Sequence, residues 1–256
     1  MEDSFNLKNG KIKNATFVVG LPGIGNVGKI VTDFIIEQLN AKEIGKFYSD
    51  IPPMVFPTRD SVEFPSVKFY HANYKKSNFL FVAGDYQPRE AKCFEFCTKI
   101  LDLFQQLKGK EIIVLGGASL PEFTSNPSIY AIASKSSLIE KYRKVEPGLR
   151  TAHGNLGPIV GVAGVLLGLA KDKNVDATAF LTETTDKDYF NLQSLKIALS
   201  LINKLTGINA DSKKFDLRIK NMDEEISAIQ NFFQEDKGKG LSVKEEKYDF
   251  DVGYIG

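Results

Sequence analysis

Six residues that read as a buried strand, Ala15 to Gly20, run straight into LPGIGNVGKI, a glycine turn that opens a helix over about Val27–Leu39. A strand this continuously apolar needs cover on both faces. A helix that follows it after so short a turn packs back on the same sheet. This junction is the first of the strand-to-helix alternations that indicate an α/β domain.

The rest of the chain repeats the pattern. A second strand is expected near Glu43–Ser49, followed by a stretch rich in proline (Pro52, Pro53, Pro57, Pro65) and aromatic residues. A hairpin follows, with arms Val67–Ala72 and Phe79–Gly84 and its turn around Lys75–Asn78. Cys93, Cys97, Ile100, Phe104 and Leu107 share one face of a helix read over Arg89–Leu107. Strands are expected at Glu111–Leu115, ending in Gly116–Gly117, at Ser128–Ala133 and at Ala177–Thr182. Pro158–Lys171 reads as a helix with proline in its first turn, a favoured place for it. Leu192–Leu205 reads as a helix closed by Gly207, and Phe215–Phe233 as a last, charged one. The architecture expected is three-layer α/β/α, with a mostly parallel sheet that the inserted hairpin makes mixed. From Asp236 the composition turns to a Gly- and Lys-rich linker with an aromatic end. The chain therefore divides into a single domain over 1–235 and a flexible tail over 236–256.

Charge and composition remove several classes of function. Lys and Arg total 33 against 32 Asp and Glu, a net charge of +1, which leaves no basic footprint for nucleic acid. The most apolar stretch, Gly157 to Ala170, has 14 residues, short of the roughly 20 needed to cross a bilayer. The N-terminus carries two early acids and no apolar h-region, and two cysteines make no disulfide framework. A cytoplasmic protein without membrane contact is expected.

Four motifs invite chemistry. Gly23, Gly25 and Gly28 spell the G-x-G-x-x-G dinucleotide fingerprint at a strand-to-helix turn. Asp50 lies where the ribose acid belongs, but Pro52, Pro53 and the hairpin stand where the next helix should begin, and Pro22 sits inside the turn. The favoured reading is that these glycines let the helix approach the sheet closely. Ser119 in GGASLP resembles a nucleophile elbow with Pro121 in place of the closing glycine. His153 with Glu122, Glu140 or Glu146 forces no triad, so Ser119 reads as a turn serine. Cys93 and Cys97, with His71 and His153 far off, make no four-ligand zinc set and read as buried small hydrophobes. Gly157, Gly161, Gly164 and Gly168 recur at spacings of four, three and four. They share a helix face for packing on the sheet or for a contact across a subunit boundary. No cofactor, metal or catalytic set emerges, and the expectation is a non-enzymatic protein that binds other proteins. The alternative is an enzyme that binds a nucleotide or phosphate at the carboxyl edge of the sheet, gathering Gly23, Gly25, Gly117, Ser119 and Glu183.

The segments GLPGIGNVGKIVTDFII from Gly20, IIVLGGAS from Ile112 and GPIVGVAGVLLGLAKDKNVDATAFLTET from Gly157 are together similar to the proteasome assembly chaperone family in its archaeal single-chain form. With the LTGIN turn the resemblance covers roughly residues 14 to 210. It implies a phosphorylase-like α/β/α fold without phosphorylase activity. It also implies homo-oligomers that bind the proteasome core particle or its subunits in assembly or activation. Members that dock on the proteasome end in a hydrophobic residue, tyrosine and any residue. Here the last three are Tyr254-Ile255-Gly256, with the aromatic one place early, which leaves a paralogous chaperone as a second kind of partner. In the tail, Tyr248, Phe250, Val252 and Tyr254 alternate with Asp249, Asp251 and Gly253. An extended chain would place those four on one face. With Ile255 they are the candidate partner-binding residues.

Overall fold

The computed structural model describes residues 4–5, 12–48, 51–119, 126–185 and 189–237. In chain order the elements are β1 (Ser4–Phe5), β2 (Thr16–Gly20), α1 (Val27–Gln38), β3 (Lys42–Phe47), β4 (Phe56–Pro57), β5 (Val62–Glu63), β6 (Val67–Tyr74) and β7 (Ser77–Gly84). They continue as α2 (Glu90–Gln106), β8 (Glu111–Ser119), β9 (Ile129–Ala133), α3 (Ser136–Arg143), β10 (Arg150–Thr151), α4 (Gly161–Asp172), β11 (Ala177–Thr184), α5 (Leu192–Thr206) and α6 (Ser212–Lys237).

The main sheet runs in the order β1-β3-β6-β7-β2-β8-β11-β9-β10. Its centre, β7-β2-β8-β11, is parallel throughout. Antiparallel pairing begins on either side, at the β6–β7 hairpin and at β9 against β11, and the edge strand β10 lies parallel to β9. The α/β/α fold with a mixed sheet is thus the one expected, with its parallel character concentrated in the middle.

Successive residues of the central strands feed opposite cores, as period-two alternation requires. Phe17, Val19, Leu80, Val82 and Val114 pack with Phe96 and Cys97 of α2 and Leu166 of α4. Val18, Phe81, Ile113 and Phe180 pack with Phe34 of α1, Tyr142 of α3, Leu195 of α5 and Phe215 of α6. Each large side chain buried in this way is worth about 1.5–3 kcal/mol against exposure. No helix among the described residues is long and apolar enough to cross a membrane.

Several boundaries differ from the pattern-based reading. β8 runs through Gly116 and Gly117 to Ser119, because its ladder with β11 continues to Thr184. The hairpin turn is tighter, with Tyr74 paired to Ser77 and Lys75 at φ +53°. The proline stretch holds a small hairpin of its own, β4 with β5. The eight residues of α3, with Leu138 and Tyr142 buried, were too short to show a period.

α4 begins at Gly161, not Pro158, since Val160 is extended (φ −101°, ψ 166°). Gly157 therefore lies outside the helix, Gly164 packs on the carbonyl of Ile159, and nothing lies within 4 Å of where a Gly168 side chain would start. The glycine row does not pack on the sheet; Val162, Leu166, Leu167 and Ala170 are the buried residues of α4.

Candidate functional site at the carboxyl edge of the sheet

The strands β2, β7, β8 and β11 all end at one edge, where open parallel sheets keep their ligand sites. Three of the loops there are knitted together. Between β2 and α1 a single 3₁₀ turn, Ile24–Asn26, reverses the chain, with Gly25 at φ +59° and Asn26 at φ +47°. A Cβ on Gly25 would stand 2.5 Å from the hydroxyl of Thr184, and one on Gly28 would stand 2.2 Å from the carbonyl oxygen of Leu115. Both glycines seat the start of α1 on β8 and β11. In a dinucleotide fold the second glycine clears space for the pyrophosphate; here that side of Gly25 is filled by Thr184, whose buried hydroxyl has no hydrogen-bond partner among the described residues. Close helix–sheet approach is what the glycine turn accomplishes.

Gln87, just after β7, clamps two neighbours. Its Nε2 donates to the carbonyl of Pro22, and its Oε1 accepts from the N–H of Val162 at 3.1 Å, capping α4. Nothing in the sequence marked this glutamine, since the groups it joins are backbone atoms of distant segments.

Beneath the loops lies a polar cluster. Lys29, its side chain 14% exposed, donates to Asp33 Oδ2 at 3.1 Å and to the carbonyl of Gly84 at 3.2 Å, with Asp85 Oδ1 at 4.0 Å. Asp85 in turn accepts from the Ser66 N–H at 2.9 Å, fixing the end of the proline stretch to the end of β7. Burial pushes the Asp33 carboxyl up, against the pull of Lys29. Burial, and then Glu43, Asp33 and Asp85, push the Tyr70 phenol up to about 12. Tyr189 is raised by burial with Lys29 opposing, and its carbonyl accepts from Asn26 Nδ2 at 3.1 Å. The cluster is an ion-pair network that braces α1 against β7. Its lysine stood in view directly after Gly28, but its partners come from elements far along the chain.

The other residues singled out by sequence do not converge. Ser119 ends β8, in register with Thr184. His153 is exposed and follows β10, whose Thr151 is in register with Ala131 and through it with Phe180. That separates Ser119 from Thr151 by about 13 Å along the strands and about 14 Å across them, and His153 follows two residues further on, so no serine–histidine pair forms. Glu183, 2% exposed, accepts from the Ser128 N–H at 3.2 Å and ties β9 to β11. His71 faces Asn78 across the hairpin at 3.3 Å. Cys93 and Cys97 are buried free thiols, both pushed up by burial. Cys97 lies 3.8 Å from the carbonyl of Val162, which fits their reading as small hydrophobes. No group of three or more His, Cys, Asp or Glu that could hold a metal occurs among the described residues. Asp50, Pro121, Glu122 and the tail residues Tyr248, Phe250, Val252, Tyr254 and Ile255 lie outside the described residues.

What the edge does present is apolar surface. Ile24 in the glycine turn, Val55, Val62 and Phe64 in the proline stretch, Phe94 near the start of α2, Val160 before α4 and Leu192 at the start of α5 are all exposed, Val160 to 78%. Connectivity puts each at or next to this edge. Exposed apolar side chains mark an interaction surface where they form one contiguous patch, and singly scattered ones do not.

A model of the PAC2 family matches residues 17–230 of the chain. An uncharacterised protein of Methanocaldococcus jannaschii is 23% identical over 247 residues, which cover 96% of this chain and 93% of that protein. Among solved structures, Pyrococcus furiosus PbaB, an archaeal proteasome activator, is similar with a TM-score of 0.79 and 27% identity over 90% of this chain and 98% of its own. P. furiosus PbaA, an archaeal homologue of proteasome-assembly chaperone, gives a TM-score of 0.73 at 21% identity, over 93% of this chain and 95% of its own.

Proposed function

The chain belongs to the PAC2 family, the proteasome assembly chaperones, and on that premise we propose that it works without catalysis, by binding the proteasome core particle or its subunits during assembly or activation. The observation that carries this reading is the likeness to PbaB at 27% identity over 90% of the chain. The geometry of the carboxyl edge supports it: glycines spent on packing, a lysine engaged by carboxylates, and apolar residues turned outward. The partner is a proteasome subunit or a paralogous chaperone, met in the cytoplasm by the folded domain over 1–235 together with the tail over 236–256. Tyr248, Phe250, Val252, Tyr254 and Ile255 supply the tail's contacts.

A homo-oligomer is part of the same proposal. On α6, Phe215, Ile219, Met222 and Ile226 follow one another at spacings of four, three and four, and the sequence continues the spacing with Ile229 and Phe233. The first two are buried in their own core, whereas Asp223, Glu224 and Glu225 beyond Met222 are exposed. An apolar seam of this period suits a helix of another subunit.

The experiment is to immobilise the full chain and measure binding of purified proteasome core particle and of its α subunits, with and without residues 238–256. Binding lost with the tail, at an unchanged melting temperature, is the expected result. Absence of binding at tens of micromolar would remove the reading. Thermal shifts with nucleotides or phosphate test the enzyme alternative, since a ligand at a hundredfold excess over Kd adds about 2.7 kcal/mol.

A further inference from the structure

A second surface lies at the opposite, amino edge of the sheet. The ladders set Phe79, Thr16 and Glu111 level with one another across β7, β2 and β8. The pairing of Ala177 with Ile112 brings Asp176, at the entry to β11, level with them. Three residues ahead of each stands a lysine: Lys76, Lys13, Lys108 and Lys173. Hydrogen bonds to the backbone hold the first three side by side. Asn78 Nδ2 donates to the Lys13 carbonyl at 2.9 Å, and the Asn14 N–H donates to the Leu107 carbonyl at 3.1 Å. All four lysines are exposed. Lys173 is paired with Asp102 at 3.1 Å, whereas no ion pair among the described residues engages Lys13, Lys76 or Lys108. The two acids in the row behind them are taken by other groups. Glu111 accepts from Lys141 and from Tyr142, and Asp176 accepts from Lys135 at 2.6 Å.

We propose that Lys76, Lys13 and Lys108 form a docking surface for a short acidic segment of a partner protein. Neighbouring strands lie about 4.8 Å apart, so the row spans about 10 Å of backbone. Each lysine stands closer to the next than the Debye length of about 8 Å at physiological salt, and their fields add. Like charges level on neighbouring strands repel one another. The sheet holds three of them together, with the neighbouring carboxylates committed elsewhere, and a partner that supplies carboxylates removes that repulsion. The reach defines the occupant: at about 3.3 Å per residue, three or four extended residues cover the row. Nucleic acid fits it less well. The row contains no arginine, the side chain suited to bidentate phosphate contacts, and the exposed large aromatic residues, Phe64 and Phe94, lie at the other end of the molecule, out of reach for base stacking. Asp102 and the exposed Asp172 flank Lys173 and oppose a polyanion longer than the row. This surface is separate from the apolar carboxyl edge and adds a second, electrostatic contact to the reading above.

Fluorescence anisotropy of a labelled hexaglutamate peptide, titrated with the full chain, tests this. Binding is expected at about 0.1 M salt and should weaken at least tenfold at about 1 M, where the Debye length falls to about 3 Å. At the lower salt, Lys13→Glu with Lys76→Glu and Lys108→Glu should weaken it at least tenfold without shifting the melting temperature. Lys92→Glu with Lys144→Glu and Lys220→Glu changes the net charge equally at exposed positions elsewhere and should weaken it less than threefold. Should the first variant melt lower, Lys13→Gln with Lys76→Gln leaves the left-handed Lys108 in place and is expected to cost at least threefold. Absence of hexaglutamate binding at about 0.1 M salt would overturn the proposal. So would equal losses in the two triple variants, or hexauridylate RNA binding more tightly than hexaglutamate, which would assign the row to nucleic acid. None of these readouts involves the proteasome, so the failure of partner binding there would leave them unchanged.

Discussion

The two ends of the sheet are built by different rules. At the amino end the connections are short, and five of them turn on one non-glycine residue in the left-handed region. These are Asn14 before β2 (φ +55°), Asn40 before β3 (+46°), Lys75 in the hairpin (+53°), Lys108 before β8 (+49°) and Asn174 before β11 (+55°). The ion pairs Lys135–Asp176 and Lys173–Asp102 sit among them. At the carboxyl end the loops are longer, tied by side chains such as Gln87 and Lys29, and they carry seven of the nine exposed large hydrophobic residues among those described. One end is closed by local stereochemistry and faces water with charge. The other is held by tertiary contacts and faces outward with apolar surface, which costs solubility unless a partner covers it.

The sharpest way to break this contrast is Gly28→Ala. A methyl placed 2.2 Å from the Leu115 carbonyl forces α1 off β8, and about 3 kcal/mol or more of stability should be lost, at the upper end of overpacking costs. Denaturant unfolding measures it; a loss under about 1 kcal/mol would mean the junction is not tertiary-locked. Next comes the double variant Phe64→Asp with Val160→Asp. Both residues are exposed, so the unfolding midpoint should stay put while affinity for the partner proposed above falls at least tenfold, about 1.4 kcal/mol. Unchanged affinity would leave the apolar end without a function. At the amino end the effects should be small and of opposite sign. Lys108→Gly relieves a left-handed lysine worth about 1–2 kcal/mol and loosens the unfolded chain by about 0.5–1 kcal/mol, for a net gain of about 0.5 kcal/mol in the same unfolding assay.

This division also decides what could be read from the sequence. Buried strands and helix faces follow from local pattern, so β2, α1, the β6–β7 hairpin, α2 and α5 were legible to within a few residues. Gly207 as the stop of α5 was legible too, because a left-handed cap (φ +71°) is a one-residue requirement. The glycine turn was legible as packing, since Pro22 and the proline stretch conflicted with the dinucleotide reading. The start of α4 was not, because it depends on Gln87, distant in sequence, reaching Val162. Nor was the Lys29 network, whose members come from α1 and from the ends of β7 and the proline stretch. Pattern reports what a residue does for its own element. The carboxyl end is made of what residues do for one another.

The effect that is smallest at pH 7 tests the electrostatics beneath that end. Tyr70 in β6 is half-buried and its phenol is pushed up to about 12, first by burial and then by Glu43, Asp33 and Asp85. In the unfolded chain the same group ionises near pH 10. Between about pH 10 and pH 12 the unfolded chain releases this proton while the folded one keeps it, so rising pH favours unfolding, and stability is lost through that window. Tyr70→Phe removes this contribution and should flatten the alkaline limb, with little change at pH 7. Tyr142, raised by burial and by Glu111 as acceptor, and Tyr189, raised by burial, keep a residual slope. Glu43→Gln should flatten the limb less, because burial is the larger cause. Urea midpoints taken at steps from pH 9 to pH 11 read the difference. Identical alkaline slopes for Tyr70→Phe and the unaltered chain would mean that this phenol is solvated, and that the carboxyl end is looser beneath its loops than the network of Lys29, Asp33 and Asp85 requires.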